Sequence, residues 1–379
     1  MVNNQLNVLD LFCGCGGLSQ GFIDAGYNVI LGVDFDKAAL ETYKYNHNGS
    51  DTLLADLSKD EVIKEISDKV GNRKIDIIIG GPPCQGFSLT GSRDINDTRN
   101  TLYLAVVKAV RKFKPKAFLI ENVPGISTLY GGNVKQQILN TFEDMEYNVT
   151  VSEKPLLAAG FGVPQMRKRM FFVGFQKGYG LFKIPEPTHT PENYVTCADA
   201  ISDLPGREKE LGEEIDEYVI SPRSSYQELM RKDSSKLYNH VATKHTDHVK
   251  WVINQVPEGG NHKDLPPGVG DSRKFNEAWT RYHSEKPSRT IDTGHRNHFH
   301  YKYNRVPTIR ENARLQSFRD DFIFKGTRTQ QNRQVGNAVP PLLSYHLAKS
   351  IKQHFSDISK GKIKVNDYTQ SNLELSNQR

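Results

Sequence analysis

The run Ile75-Asp76-Ile77-Ile78-Ile79 is cut off by Gly80-Gly81-Pro82-Pro83. A short β-branched apolar run of this kind reads as a buried strand. Two glycines and two prolines end it abruptly. Cys84 therefore follows directly after the carboxyl end of a buried strand, where open α/β sheets place their ligands. A thiol there is a competent nucleophile once ionised. A buried structural cysteine in a tight turn is the other reading of the local sequence.

The segments before it follow the same plan. Leu6 to Phe12 reads as a buried strand, with Gly14, Gly16 and Gly17 next and then a helix through Gly21 and Phe22. Strand, glycine turn and helix are the first unit of a nucleotide-binding α/β fold, although Ser19 stands where a dinucleotide fingerprint has its third glycine. A tight turn with no ligand fits the same residues. A second strand, 28–33, ends at Asp34, 17 residues beyond Gly17 and about where a carboxylate holds a ribose diol. Asp36 is placed to cap the next helix. A third strand ends at Asp56, before a helix over 61–70.

Beyond Cys84, residues 89–100 are polar and rich in turn formers, the composition of a lid over a reactive residue. A helix over 101–113 precedes a fifth strand, 116–120, which ends at Glu121. If the fourth and fifth strands are parallel neighbours, Glu121 and Cys84 share one edge of the sheet. A helix over 135–145 and strands at 148–151 and 170–175 complete the layer. Between those strands, Gln165, Arg167 and Arg169 share one face if extended; a solvated basic edge fits them as well.

The alternation stops near Ile184, where Pro185, Pro187 and Pro191 mark a linker. Within 186–308, the stretch Arg207 to Glu217 carries six acids and two bases and reads as a solvated surface. His240, His245 and His248 lack cysteine partners and an HExxH pattern, so no metal is expected; the later two are expected on a helix surface running towards Trp251. His295 to Arg305 alternates, with Phe299, Tyr301 and Tyr303 on one face and His298, His300 and Lys302 on the other. That suits a ribbon facing nucleic acid, and equally an ordinary half-buried strand. From Lys302 to Arg333 there are eight bases against three acids, and Arg310 and Arg314 stand one helical turn apart. These are expected to contact phosphates. A last helix runs to about His354 and a polar tail follows.

The composition agrees with such a chain. It has 379 residues, 25% charged and 37% hydrophobic, with a net charge of +6 that permits a polyanionic partner. The four cysteines, Cys13, Cys15, Cys84 and Cys197, suggest neither a disulfide framework nor a zinc site. With no leader and no apolar run of spanning length, a cytoplasmic location without membrane attachment is expected.

Seven segments in order resemble the cytosine-carbon-5 DNA methyltransferase family of bacterial restriction–modification systems: DLFCGCGGLSQGF (10–22), GGPPCQGFS (80–88), DTRNTL (97–102), ENV (121–123), QMRKR (165–169), RENARLQSF (310–318) and QVGNAVPP (334–341). The resemblance implies a Rossmann-like, S-adenosylmethionine-dependent methyltransferase fold with a smaller target-recognition domain. It divides the chain into 1–185 (catalytic), 186–308 (recognition), 309–355 (a return segment completing the catalytic domain) and a disordered tail, 356–379. It also implies a cofactor pocket of Phe12, Gly14, Gly16, Gly17, Asp34, Phe35, Asp56, Leu57, Pro83, Leu102 and Asn337. Cys84 matches the nucleophile, and Glu121 and Arg169, with Arg167 beside them, match the residues holding the target base. Ser88, Arg296, His298, His300, Lys302, Arg310 and Arg314 are the expected DNA contacts.

Cysteine thiolate attack on carbon 6 of cytosine turns carbon 5 into a nucleophile for a sulfonium methyl group. Glu121, in its protonated form, supplies an acid near ring nitrogen 3 and Arg169 holds the ring carbonyl oxygen. The base must be flipped out of the duplex for this. Duplex DNA is thus the implied partner of a monomeric enzyme; a cognate restriction endonuclease belongs to the same system without a stable complex. Cys13 stands where Ala or Ser is usual in the family, Asp34 where Glu is more frequent, and Arg319 where proline is usual. Alternatives are a tRNA cytosine-5 methyltransferase, an idle DNA-binding regulator on the same fold, and a nicotinamide oxidoreductase; the PPCQ turn and the missing third glycine weigh against the last.

Overall fold

The structure, a computed structural model, describes residues 5–83, 102–127, 132–269, 278–294 and 297–363. Its centre is one sheet in the order β3-β2-β1-β4-β5-β8-β6. The first five strands in the chain are β1 (Asn7–Leu11), β2 (Asn28–Asp34), β3 (Asp51–Leu54), β4 (Ile77–Gly80) and β5 (Ala117–Asn122). They are mutually parallel. The crossovers contain α1 (Gly17–Asp24), α2 (Lys37–Asn46), α3 (Val62–Val70) and α4 (Tyr103–Phe113). After α5 (Asn133–Glu143), β6 (Tyr147–Val151) and the short β7 (Leu156–Leu157), β8 (Lys168–Gln176) inserts antiparallel between β5 and β6. β7 pairs with the start of β8.

β1 and β4 are buried on both faces, so helices must cover both. Leu9, Leu11 and Ile78 pack with α3, α4 and α5, whereas Val8, Ile77 and Ile79 pack with α1 and the last helix. Burying a side chain of this size contributes roughly 1.5–3 kcal/mol. That last helix, α11 (Pro341–Ser359), lies so close to α1 that a Cβ on Gly21 would sit 2.4 Å from the Ser344 Cβ. It extends past the expected end near His354 to Ser359, and Ile351, His354 and Phe355 anchor its last turns on the core.

From 186 onward the elements are short: α6 (Cys197–Ile201), β9 (Ile215–Asp216), α7 (Ser225–Arg231), β10 (Leu237–Tyr238), α8 (Asp247–Gln255), β11 (Thr280–Arg281) and β12 (His298–Phe299). They precede α9 (Ile309–Leu315) and α10 (Arg328–Asn337). The long alternating strand expected over His295 to Arg305 is only two residues of β12, paired parallel to β11; His295 and Arg296 lie outside the described residues. His248 is exposed on α8 and stacks near Trp251, but His245 precedes the helix and its Nε2 accepts the Val306 N–H.

Candidate active site

The strand order reverses at β1 and β4: β2 and β3 lie on one side of β1, and the chain then crosses to β4 on the other. Such a switch point opens a crevice beyond the carboxyl ends of the strands. The turns after both strands open onto it. The β1 turn holds Phe12 and Gly14 at φ 58 and 54, and Gly16 at φ 97. Gly16 has no room for a side chain, since a Cβ there would meet the His47 ring at 2.2 Å. Gly17 starts α1 and packs against the Val339 carbonyl. A Cβ on Gly14 would meet nothing within 4 Å, so this turn is open above and braced below.

Asp34 ends β2 beside that opening. Its carboxylate accepts the Gly14 N–H at 2.8 Å and the Asp36 N–H at 2.9 Å. Burial raises its pKa, with the two N–H bonds opposing. Asp36 caps α2, accepting from Ala38 and Ala39. Phe35, next to Asp34 in the chain, is 69% exposed. Asp56 is exposed, bonded to Ser58, and Leu57 beside it is buried. Asn337 is exposed at the end of α10, and Pro83 and Leu102 are partly exposed. The result is one buried acid and an exposed ring beside the open space over Gly14.

A polar floor under this turn was missed in the sequence. Ser19 donates to Asp10 at 2.6 Å and lies 2.9 Å from the Tyr43 hydroxyl, and all three are buried. Burial pushes the Asp10 pKa up to about 8, against the Ser19 bond and with the Asp34 charge adding. The available signal was one acid among the apolar residues Val8, Leu9 and Leu11 of β1.

The second turn brings the catalytic candidates together. In the β4–β5 register Gly80 is opposite Ile120, so Gly81 stands opposite Glu121. A Cβ on Gly81 would lie 3.4 Å from the Glu121 Oε2. The β5–β8 pairing brings in Arg169, whose Nε is 2.5 Å from Glu121 Oε1 and whose Nη1 donates to its own neighbour's carbonyl, Lys168 O, at 2.8 Å. Both side chains are mostly buried. A charge-assisted contact in such a site is among the stronger ones. Arg167 lies inside the protein, 1% exposed, with Nη1 3.5 Å from the Ile291 carbonyl. Burial, and then the neighbouring Arg169 charge, hold its pKa well below the ordinary arginine value, while Glu121 acts in the other direction. Cys84, Ser88 and the expected lid, 89–100, lie outside the described residues.

The expected phosphate-contacting face is a correction. Every residue of α9 is buried, including Arg310 and Arg314. Arg310 donates to the carbonyls of Tyr238, Arg319 and Phe322. Arg314 bonds Asp320, Asp203 and the Ala200 carbonyl. These guanidiniums tie segments together and cannot meet a phosphate. His298 and His300 are corrected for the same reason. His298 is buried and stacked near Tyr282. His300 Nδ1 accepts the N–H groups of Lys302 and Tyr303, and burial pushes its pKa down to about 3. Lys302 alone of that group is exposed, and Arg296 lies outside the described residues.

A doubly wound sheet with a glycine turn and a paired Glu–Arg set at its switch point defines an α/β enzyme that works on a ligand across the strand ends. Comparison makes the class specific: the model of the family described as C-5 cytosine-specific DNA methylase matches residues 6–353, and the chain belongs to that family. It is a DNA cytosine-5-methyltransferase, and its family and fold are those of S-adenosylmethionine-dependent enzymes. It is 38% identical over 379 residues to the Type II methyltransferase M.DdeI of Desulfomicrobium norvegicum, spanning 93% of this chain and 90% of that protein. It is also 38% identical over 357 residues to the Type II methyltransferase M1.HphI of Haemophilus parahaemolyticus, spanning 92% and 87%. Among solved structures, a protein described as a DNA modification methyltransferase encoded within an E. coli prophage has a TM-score of 0.76 at 28% identity, over 93% of this chain and 100% of that one. The S. pombe Dnmt2 methyltransferase, at 16% identity and a TM-score of 0.56 over 94% and 99%, shares the fold. Among the described residues, no helix is long and apolar enough to cross a membrane and no cluster of side chains could hold a metal ion.

Proposed function

We propose that this chain methylates carbon 5 of a flipped-out cytosine in a specific duplex DNA sequence, through a covalent Cys84 adduct, as the modification enzyme of a Type II restriction–modification system. The observation that carries this is the Arg169–Glu121 pair facing Gly81, three residues before Cys84 in the chain. The Type II names of M.DdeI and M1.HphI support the biological setting.

Each residue has a distinct task in this reading. The open glycine turn, Asp34 and the exposed Phe35 fit a nucleoside with a ribose diol and a flat base. Phe12, Gly14, Gly16, Gly17, Asp56, Leu57, Pro83, Leu102 and Asn337 would complete that pocket for S-adenosylmethionine, which when bound supplies an electrophilic methyl group. The Cys84 thiolate adds to carbon 6 of the ring, and the electron pair released makes carbon 5 nucleophilic. Glu121 donates a proton at ring nitrogen 3, which neutralises the charge developing there. For this the Glu121–Arg169 contact must open, and the guanidinium then holds the ring carbonyl oxygen. Arg167, buried behind the site, packs next to this pair and reaches the Ile291 carbonyl. Loss of the carbon-5 proton to water and departure of the Cys84 thiolate restore the ring double bond, and the nitrogen-3 proton returns to Glu121. The bases of a stacked duplex cannot present carbon 6 to a thiol in a pocket, so the target nucleotide leaves the helix. Residues 186–308 read the sequence, and 309–355 completes the catalytic unit.

Bisulfite sequencing of DNA from cells expressing the chain tests this. One short recurring sequence with a protected cytosine is expected. Unprotected DNA, together with methyl transfer to tRNA by the purified chain, would overturn it.

A further inference from the structure

With Arg310 and Arg314 buried, the basic contacts to DNA must come from elsewhere. One segment is built against the residues that lead into β8. Residues 288–291 run parallel to 164–167 through a bridge between Gln165 and Ser288. Ser288 N–H donates to the Pro164 carbonyl at 3.0 Å and Met166 N–H to the Ser288 carbonyl at 2.8 Å. Thr290 Oγ1 donates to the Met166 carbonyl at 3.3 Å, and Ile291 N–H to the Gln165 side chain at 3.2 Å. Ser288 and Ile291 are buried, whereas Arg289 and Thr290 between them are exposed. Asp292 and Thr293 then cross to α10, where a Cβ on Gly336 would meet the Asp292 carbonyl at 2.3 Å. This strap therefore spans from the segment that leads into β8 to the helix that ends at Asn337. It offers an arginine to solvent along the rim, next to exposed Met166 and Lys168.

We propose that Arg289 anchors the DNA backbone at the active-site rim, by contacting a phosphate that flanks the target nucleotide. The inference rests on the duplex-methylating reading above. A base held at Glu121 and Arg169 is joined to its own phosphates through a single sugar, so those phosphates pass over the nearest rim. A guanidinium matches a phosphate with two parallel N–H donors, and a backbone fixed on both sides of it limits the entropy lost on contact. Such a contact positions the strand without reading its sequence.

The test compares Arg289→Gln, Arg289→Lys and the wild-type chain on a duplex containing the methylated sequence. The Gln variant is expected to bind duplex roughly tenfold more weakly, as for loss of a charge-assisted bond. The slope of log affinity against log salt should become shallower by about one, the signature of one lost phosphate contact. KM for DNA should rise much more than kcat falls, S-adenosylmethionine affinity and melting temperature should stay at wild-type values, and the Lys variant should keep the wild-type slope. A Gln variant with unchanged duplex affinity and slope would overturn the anchor. So would weaker binding with an unchanged slope and a lowered melting temperature, which would make Arg289 a structural residue. A wild-type chain that binds no duplex would overturn the functional reading as well.

Discussion

Replacing Arg314 by methionine separates a structural arginine from a DNA-binding one. Arg314 donates to both oxygens of Asp320, at 2.9 and 2.7 Å, and to both oxygens of Asp203, at 2.5 and 3.3 Å. All three side chains are fully buried. Methionine fills much of the volume but leaves two carboxylates in the interior. Asp320 keeps the Tyr218 hydroxyl at 2.6 Å, and Asp203 keeps Arg231 at 3.2 Å. Breaking a buried pair from one side costs about 3–5 kcal/mol, and the surviving bonds hold the estimate within that range. The pH dependence follows from Asp320. Burial raises its pKa, yet Arg314, foremost among its partners, brings it below the ordinary carboxylate value. A depressed folded-state pKa gives stability that is present above the unfolded value and lost as pH falls through the folded one. Arg314→Met removes this contribution, so its deficit against wild type should be largest near neutral pH and shrink below about pH 4, where the unfolded carboxylates take protons. Urea unfolding followed by circular dichroism at several pH values measures both quantities. A variant within about 1 kcal/mol of wild type at pH 7, with a reduced salt slope for DNA binding, would refute the burial argument and restore Arg314 to the DNA face.

Asp34→Ala should weaken S-adenosylmethionine binding by roughly 1.5–3 kcal/mol, measured by calorimetry, with a much smaller change in turnover at saturating cofactor; unchanged affinity would remove Asp34 from the pocket. Asp10→Asn should lose little stability near pH 5 and gain relative to wild type towards pH 8. An acid whose folded pKa is raised to about 8 favours the folded state less and less as pH climbs from its unfolded value. Thermal unfolding across that range checks the trend, and parallel curves would contradict it. Gly16→Ala should destabilise the first turn, because the added Cβ overlaps the His47 ring and φ is 97. The cost expected from strain and overpacking together is about 2–4 kcal/mol, and a thermally unperturbed variant would count against it.

The frame of the fold was legible because its signals are local. An apolar run ending in glycine, proline or an acid marks a parallel strand, and Leu6 to Phe12 and Ile75 to Ile79 prepare for β1 and β4 closely. The adjacency of Glu121 to the Gly81 turn followed from the parallel order of β4 and β5 alone. What misled was charge. Arg314 meets Asp203, 111 residues away in the chain, and no spacing announces that partnership. The Lys302 to Arg333 bases look like a solvated face because arginine is rarely enclosed; α9 is enclosed on every side, so its bases had to find partners inside. The His298 to Tyr303 alternation failed likewise, since the chain turns at His300, whose ring accepts the Lys302 and Tyr303 N–H groups. The Asp10 floor needed three segments to meet, and only the fold brings Ser19 and Tyr43 to that acid.

The central claim is the covalent step at Cys84, and a duplex with 5-fluorocytosine at the target position tests it most directly. Fluorine lets the methyl group arrive at carbon 5 but leaves no proton there for the final elimination. The enzyme should stay attached to the DNA through denaturing electrophoresis when S-adenosylmethionine is present. The adduct should map to the tryptic peptide containing Cys84 and disappear in Cys84→Ala, although that variant still binds DNA and cofactor. Cys13, Cys15 and Cys197, which are buried, should be dispensable for it. An adduct that survives in Cys84→Ala, or that maps to another cysteine, would contradict the account.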